Sequence, residues 1–232
     1  EVSDEEAGGA SAFFPLVGFV EGVIYVILAT FCLKVLPSEV TNGLLLFVMI
    51  VVNGGLHLDG LSDTFDALAV RGDRERKLSV MKEGTIGPAG VVAIVLVILL
   101  KYLLLNAVYF HSSLNGYFLT LMIMPVLSRW SMVPAIYHCR SARQDGLGKV
   151  FIEHTGPKEF AVAMALTAVF FMAGIYVFCA HGHCRLTADH LQLAGMIPVL
   201  YIYSLSTVWF FHKHFGGMTG DSFGTVNEIA VL

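Results

Sequence analysis

Charged residues and cysteine are both scarce in this chain. Only 14% of its 232 residues are charged and 4 are cysteine, whereas 56% are hydrophobic and the mean hydropathy is +0.74. Soluble domains carry about 25% charged residues, so this composition excludes an ordinary soluble protein. The net charge is −4 and no dense basic face is present, which excludes nucleic acid as a partner. The cysteines, including those of the run Cys179-Ala180-His181-Gly182-His183-Cys184, lack the spacing of a zinc ribbon or finger, and that run is interpreted as an ordinary loop.

Long apolar runs take the place of charge. They cover residues 15–36, 43–60, 86–106, 117–137, 159–180 and 191–211. About 20 apolar residues are enough to cross the hydrocarbon core of a bilayer. The sequence therefore predicts an all-α, polytopic integral membrane bundle of about six transmembrane helices, with residues 1–232 forming a single membrane-embedded catalytic domain. Because the chain starts at Glu1 rather than Met, we expect the native N-terminus to be truncated here.

Two basic loops, residues 61–85 and 138–158, set the predicted orientation. If the first is cytoplasmic, three cations (Lys34, Lys101 and Arg185) fall on the opposite face and ten on the cytoplasmic face. The ten are Arg71, Arg74, Arg76, Lys77, Lys82, Arg140, Arg143, Lys149, Lys158 and Lys213. The positive-inside rule then predicts an inner-membrane protein whose polar loops face the cytoplasm.

A stripe of three carboxylates follows the second apolar run. Asp59, Asp63 and Asp66 are spaced i, i+4, i+7, so a helix would place them on one face. Repulsion among close carboxylates has to be relieved by a proton or a cation, and an all-oxygen site favours Mg²⁺. The alternative, an Asp-rich helix start that faces water, is disfavoured because some fifteen hydrophobic positions precede it. Glu83 in the adjoining loop is a candidate fourth metal ligand.

Other polar residues are candidates for the same site. Arg74 and Lys82 could clamp a diphosphate, although a basic loop beside the membrane also satisfies topology alone. Arg129 lies inside an apolar segment and needs an anion, for which we expect a phosphate or an Asp of the stripe. Glu21, near the end of a span, is expected to reach the lipid headgroups or else to face the same cavity as the Asp stripe. In the tail, residues 216–221 offer closely approachable backbone N–H groups and one carboxylate, which suit phosphate or metal.

Several motifs together indicate a family. They are GGLHLDGLSDTFDAL, DRERKLSVMKEGTIGPAG, Phe14-Pro15-Leu16-Val17-Gly18, Ser128-Arg129-Trp130, Gly146-Leu147-Gly148, Gly216-Gly217-Met218-Thr219-Gly220-Asp221 and Asn227-Glu228. They span nearly the whole chain and resemble the cobalamin synthase family, the adenosylcobinamide-GDP ribazoletransferases. The sequence departs from the family pattern at Glu83, where the family more often has Asp.

The resemblance implies a Mg²⁺-dependent phosphotransferase. The adenosylcobinamide phosphoryl group would pass from adenosylcobinamide-GDP to a ribose hydroxyl of α-ribazole or its 5′-phosphate, giving adenosylcobalamin or its 5′-phosphate and GMP. Metal ligands would be Asp59, Asp63, Asp66 and Glu83, and one Asp of the stripe or His57 would be the base. The substrate-binding candidates are Asn53, Arg74, Lys82, Arg129, Thr219, Gly220, Asp221, Asn227 and Glu228. Whether the chain forms a homo-oligomer is left open.

Two other functions fit parts of the pattern. A CDP-alcohol phosphotransferase also uses an Asp-rich stripe at the end of a span, but here Asp59-Gly60 is followed by Leu61, Ser62 and Asp63 rather than by Ala-Arg. A divalent-cation transporter would need carboxylates near the middle of the membrane, whereas the polar groups gather at one face.

Overall fold

The structure of this chain is a computed structural model that describes residues 3–179 and 188–232, with side chains described outside residues 178–194. In this part of the chain every element is helical, which confirms the predicted all-α class. The helices are α1 Asp4–Gly9, α2 Phe14–Cys32, α3 Ser38–Val52, α4 Leu56–Ala69, α5 Arg74–Val80, α6 Pro88–His111, α7 Leu114–His138, α8 Leu147–His154, α9 Pro157–Cys179, α10 Ala188–Phe215 and α11 Gly220–Ala230. The predicted loop around His181 and the predicted outward-facing cation Arg185 lie outside the described residues.

The membrane character of the chain rests on its long apolar helices. Within the described residues, four helical segments are long and apolar enough to cross a membrane: Asp4–Cys32, Pro88–His111, Leu114–His138 and Pro157–Val177. The bent pair α3 and α4 makes a fifth if it is counted as one span. The polytopic helical bundle is confirmed, and the count of about six spans stays a prediction.

The second apolar run does not form one continuous span, so the predicted helix over residues 43–60 is wrong. Helix α3 ends at Val52, and the chain bends by 85° before α4. Gly54 and Gly55 have φ of 58° and 70°, the left-handed region that glycine adopts without steric cost. The Asn53 side chain donates to the carbonyl of Met49 and closes the end of α3. The Asp-rich segment is therefore a separate helix turned across the end of the bundle.

Helix α7 is the centre of the bundle and the most buried of the four candidate spans. Helix α2 packs against it closely through two glycines. A Cβ at Gly22 would lie 2.6 Å from the carbonyl oxygen of Met122, and Gly18 similarly faces Pro125. Because the numbering rises on one helix as it falls on the other, the two run antiparallel. Trp130 and Leu121 of α7 are fully buried in this core.

The short helices α4, α5, α8 and α11 gather at one end of the bundle. Gly148 at the start of α8 lies against Gly220 at the start of α11, where a Cβ would be 2.5 Å from the Gly220 nitrogen. Arg74 of α5 covers Gly216, and Lys82 joins Asp145 of the second basic loop with an Nζ to Oδ2 distance of 3.0 Å. Both basic loops, the Gly-rich tail and the Asp-rich helix therefore meet at the same end, as the sequence predicted.

Candidate active site

The crossing of α4 and α11 brings their carboxylates together. The two backbones touch at a glycine: a Cβ at Gly60 would lie 2.7 Å from the carbonyl oxygen of Asp221. Thr225 fixes the crossing, because its hydroxyl lies 3.1 Å from the Gly60 carbonyl oxygen and 2.9 Å from the Thr64 hydroxyl. Any larger residue at position 60 would force the helices apart. The start of α11 is thereby held against the middle of the Asp-rich helix.

Three carboxylates and one arginine form what we call the acidic cluster: Asp59, Asp63, Asp221 and Arg143. Asp63 is only 8% exposed and lies within electrostatic range of both other carboxylates. Asp59 is exposed, and the Asp221 side chain is 24% exposed. Burial raises the pKa of Asp221, while Arg143 and the Thr219 hydroxyl act in the opposite direction. The cluster carries three acidic groups and one cation, so its charges do not balance.

Arg143 is the member that sequence reasoning did not select. Its Nη1 lies 3.2 Å from Oδ2 of Asp221, and its side chain is 18% exposed. Nε and Nη2 are buried and have no hydrogen-bond partner among the described residues. In the sequence it was one of several cations in an irregular loop, and no spacing set it apart from Arg140 or Lys149. Only the fold places it beside the carboxylates.

Asp66, the third residue of the predicted stripe, has a different partner. Its two carboxylate oxygens accept hydrogen bonds from the backbone nitrogens of Gly87 and Gly90, at 2.7 and 2.9 Å. These amides belong to the first turn of α6, where N–H groups have no partner within the helix. Asp66 thus caps α6 and ties it to α4. The structure places Asp59 and Asp63 near Asp221. Asp66, by contrast, is hydrogen-bonded to the backbone at the start of α6 and is not open to a ligand.

The other predicted residues of the basic loops lie at the exposed rim. Glu83, predicted as a metal ligand, pairs with Arg76 at 3.0 Å and its side chain is 45% exposed. Lys82 is paired with Asp145, and it holds the pKa of that exposed carboxyl below its usual value. Arg74 is exposed. Of these three candidates, Arg74 alone has no oppositely charged partner within the described residues.

The fit of the acidic cluster to a metal depends on its donor chemistry. In residues 3–179 and 188–232 no three His, Cys, Asp or Glu side chains converge closely enough to hold an ion by themselves. Magnesium does not require such a cage, because it keeps several waters and is usually held by one or two carboxylates together with substrate phosphates. Asp63 and Asp221 supply that kind of oxygen donor, so the residues fit Mg²⁺ with a phosphorylated substrate.

A second polar group lies deeper in the bundle, and we call it the buried ion network. Its members are Glu21, Asn53, His57, Lys101, Arg129, Asn227 and Glu228. Arg129 donates to both carboxylate oxygens of Glu21, to the Asn53 side-chain oxygen and to Nε2 of His57. The predicted pairing of Arg129 with an Asp of the stripe is therefore wrong, since Glu21 is its carboxylate partner, and the predicted phosphate partner stays a prediction. The expectation that Glu21 reaches the headgroups is wrong for the same reason, since Glu21 is 4% exposed.

His57 occupies the middle of this network and is 8% exposed. A guanidinium can only donate, so the contact of 3.2 Å from Arg129 makes Nε2 an acceptor. In a neutral imidazole the proton then sits on Nδ1, which lies 2.9 Å from Nδ2 of Asn227. Because both atoms are donors, this contact becomes a hydrogen bond when the Asn227 amide is turned so that its otherwise unpartnered Oδ1 faces the ring. Both ring nitrogens are engaged, so His57 has no free position for a substrate proton. Of the two kinds of base considered, this leaves an Asp.

Lys101 and Glu228 complete the network as an ion pair of 2.5 Å, with side chains 11% and 8% exposed. Lys101 had been assigned to the face opposite the basic loops, and this is wrong because it points into the bundle from the middle of α6. A cavity of about 40 Å³ borders the network residues. A polar space of this size has room for ordered water.

The tail residues divide between the two groups. Thr219 caps α11 by accepting from the Ser222 nitrogen at 3.3 Å, and Gly220 is exposed beside the acidic cluster. Asn227 and Glu228 lie almost two turns later and face the buried ion network. What the sequence predicted as one site is therefore two adjoining groups on the same pair of helices. Carboxylates at an open end, with nearby cations, are equipped to bind and transfer a phosphoryl group.

Comparison with known proteins agrees with this chemistry. The sequence matches the family described as cobalamin-5-phosphate synthase over residues 1–232. A relative from Geotalea daltonii named adenosylcobinamide-GDP ribazoletransferase is 37% identical over 226 residues, covering 97% of this chain and 84% of the relative. Relatives of the same name from Syntrophobacter fumaroxidans and Thermodesulfovibrio yellowstonii are 36% and 31% identical, covering 98% and 100% of this chain and 85% and 86% of the relatives. No solved structure matches.

Proposed function

Because this chain belongs to the cobalamin-5-phosphate synthase family, we propose that its acidic cluster is the place where the family's phosphoryl transfer occurs. The activity is that of an adenosylcobinamide-GDP ribazoletransferase, which performs the final nucleotide-loop assembly step of cobalamin synthesis. The observation that carries the placement is charge imbalance. Asp59, Asp63 and Asp221 face a single cation, whereas the charges of the buried ion network are paired.

In the transfer, one P–O bond breaks and another forms. A ribose hydroxyl of α-ribazole or its 5′-phosphate attacks the phosphorus that carries the cobinamide group. The bond from that phosphorus to the bridging oxygen of the diphosphate breaks, and GMP leaves with this oxygen. Asp59 takes the hydroxyl proton, because it is exposed to substrate and is not paired with Arg143.

Magnesium is proposed at Asp63 and Asp221. When bound there it would neutralise the diphosphate oxygens and the charge that develops on the departing GMP. The cluster's own contribution is to hold two oxygen donors on two different helices at a fixed crossing. Asp66 and Glu83, which the sequence placed in the metal site, are replaced in this proposal by Asp221.

We also propose that the acidic cluster faces the cytoplasm across an inner membrane. Both basic loops lie at its end of the bundle, as the positive-inside rule requires. A test uses single cysteines at position 76 and at position 34, an exposed position beyond the other end of α2, in a background without the native cysteines. A membrane-impermeant reagent applied outside should label position 34 and not position 76. The opposite labelling would overturn the orientation.

The function is tested by incubating the purified protein with adenosylcobinamide-GDP and α-ribazole 5′-phosphate, with and without Mg²⁺. We expect GMP and adenosylcobalamin 5′-phosphate in equal amounts, and only when the cation is present. Product formed equally well in chelator would remove Mg²⁺ from the proposal and leave the transferase activity in place.

A further inference from the structure

We infer that Arg143 binds the phosphoryl group that is transferred, through the edge of its guanidinium formed by Nε and Nη2. This inference deepens the proposed function and rests on it. The observation is an incomplete side chain: Nη1 pairs with Asp221, whereas Nε and Nη2 are shielded from water and have no acceptor among the described residues. A buried donor without a partner destabilises the folded protein, and more so when the donor is charged. Two of them on one cation indicate an acceptor that is supplied by a ligand.

The pair of unmatched atoms has a specific shape. Nε–H and one N–H of Nη2 point in the same direction, so they form a two-pronged donor that fits two oxygens of one phosphate or carboxylate. No described carboxylate occupies this edge, because the one carboxylate that Arg143 contacts, Asp221, sits at Nη1. Among the described residues the other carboxylates of the cluster, Asp59 and Asp63, form no ion pair with Arg143, so a substrate anion is the acceptor that fits this edge.

The backbone holds Arg143 ready for such a ligand. The Ser141 hydroxyl donates to the Arg143 carbonyl at 2.7 Å and accepts from the Arg143 nitrogen at 3.3 Å. One residue away, the Ala142 nitrogen donates to the Met218 carbonyl at 2.9 Å, which ties the turn to the Gly-rich tail. A turn fixed on both sides spends little further entropy when it binds an oxyanion.

The position of Arg143 selects which phosphate it binds. Its guanidinium contacts Asp221, the residue that the α4–α11 crossing places beside Asp59 and Asp63. Reaction takes place where the attacking hydroxyl and its base meet, so the phosphate beside these carboxylates is the one that is transferred. In GDP this corresponds to the β-phosphate, and GMP lacks it. Arg143 should therefore control the preference of the protein for GDP over GMP.

The ion pair of Lys82 and Asp145 lies two residues from Arg143 and covers the same turn. Both side chains are more than half exposed, and exposed pairs contribute little to stability. Substrate can therefore displace the Lys82–Asp145 ion pair at small cost to reach the edge of the guanidinium formed by Nε and Nη2. Arg143 itself keeps its backbone contacts to Ser141.

The test measures binding of GDP and GMP, each with Mg²⁺, to the purified protein in detergent. Wild type should bind GDP more tightly than GMP. Arg143→Lys keeps a cation beside Asp221 but has no two-pronged edge, so the ratio of the two dissociation constants should fall about tenfold or more. GMP binding should change less than twofold. Arg76→Gln is the matched control, since Arg76 is an exposed arginine paired with Glu83 at the same end of the bundle.

Three outcomes would overturn the inference: an unchanged GDP to GMP ratio in Arg143→Lys, an equal loss of both nucleotides, or a wild type that does not distinguish them. The second would indicate a structural role, and Arg143→Gln, which also removes the charge, should then behave like Arg143→Lys. Failure of the proposed function is a separate result. It would appear as wild type that binds GDP in preference to GMP but forms no adenosylcobalamin product from adenosylcobinamide-GDP.

Discussion

The acidic cluster and the buried ion network both take side chains from α4 and α11, and they differ in the balance of their charges. In the network, Arg129 has Glu21 and Lys101 has Glu228, so every charge has an opposite partner. In the acidic cluster, three carboxylates share Arg143, which itself retains two unmatched donors. Polar groups at membrane depth are by default suspected of function. Here the charges of the more deeply buried group are balanced without a ligand, and the group whose charges are unbalanced lies at the open end.

This difference in charge balance separates residues that stabilise the fold from residues that we propose act on the substrate. A charge-balanced network can be removed only at the cost of stability, whereas we propose that substrate and cation bind at the unbalanced cluster. Breaking one partner of a buried pair leaves an uncompensated charge. Removing a carboxylate from a crowded cluster relieves repulsion, so the fold should tolerate it. Substitutions in the two groups should therefore change different measurements.

The largest effect is expected for Arg129→Met, which leaves Glu21 buried without its cation. Breaking a buried pair in this way costs about 3–5 kcal/mol, so the melting temperature in detergent should fall strongly. Turnover of the protein that remains folded should stay within a few-fold of wild type. The double variant Glu21→Leu/Arg129→Met should recover part of the lost stability, because no charge is then left alone. A single variant with normal stability and abolished GDP binding would instead make Arg129 a substrate ligand.

Asp63→Asn is expected to have the next largest effect, and on rate rather than on stability. Loss of one preorganised electrostatic group in an active site lowers turnover on the order of 100- to 1000-fold, or about 2.7–4 kcal/mol. GMP release per folded molecule should drop by that factor while the melting temperature stays the same or rises. If Asp63→Asn melted early and retained its rate, the acidic cluster would belong with the scaffold and the comparison would fail.

Asp66→Ala tests whether Asp66 caps α6 or binds the metal ion. The substitution removes the acceptor for the Gly87 and Gly90 amides, and loss of a helix-capping side chain costs about 0.5–2 kcal/mol. A modest decrease in melting temperature is expected, with turnover within about tenfold of wild type. Mg²⁺ concentration dependence should be unchanged. A shift of that dependence to much higher Mg²⁺ would return Asp66 to the metal site.

Glu83→Gln should have the smallest effect. The side chain is 45% exposed and paired with Arg76, and exposed pairs contribute about 0–1 kcal/mol. Turnover, Mg²⁺ dependence and melting temperature should all match wild type. Since the sequence had placed this residue among the metal ligands, loss of Mg²⁺ response in this variant would show that the loop closes over the cluster during turnover.

The sequence was sufficient for the class of fold and for the gathering of polar segments at one end. Hydrophobic length predicts spans because a bilayer accepts little else. Hydrophobic length failed to predict the structure of the second apolar run, residues 43–60. Gly54 and Gly55 count as apolar, but they allow the left-handed backbone that turns the chain by 85°. Hydropathy averages over a window and does not register two adjacent residues of this kind.

The site was predicted in composition and not in arrangement. Helical spacing placed Asp59, Asp63 and Asp66 on one face. It could not show that the backbone amides at the start of α6 donate to Asp66, or that Asp221 lies beside Asp63, where we propose it as a metal ligand in place of Asp66. Those contacts are between residues far apart in the chain. Arg143 was missed for the same reason, and so was the pairing of Arg129 with Glu21 across 108 residues.

The ion pair between Lys101 and Glu228 joins residues 127 positions apart, and this sets an order of assembly. During synthesis α6 enters the membrane long before α11 exists, so Lys101 is inserted without its counter-ion. Helix α6 has a mean hydropathy of 2.7 over its most apolar stretch, the highest among the four candidate spans. This is enough to carry one lysine into the bilayer. Glu228 follows on α11, which is made after the four candidate spans of the described residues, and its docking also places Asp221 beside Asp63. The acidic cluster that we propose as the active site thus forms only when α11 pairs with a lysine that is already in the membrane.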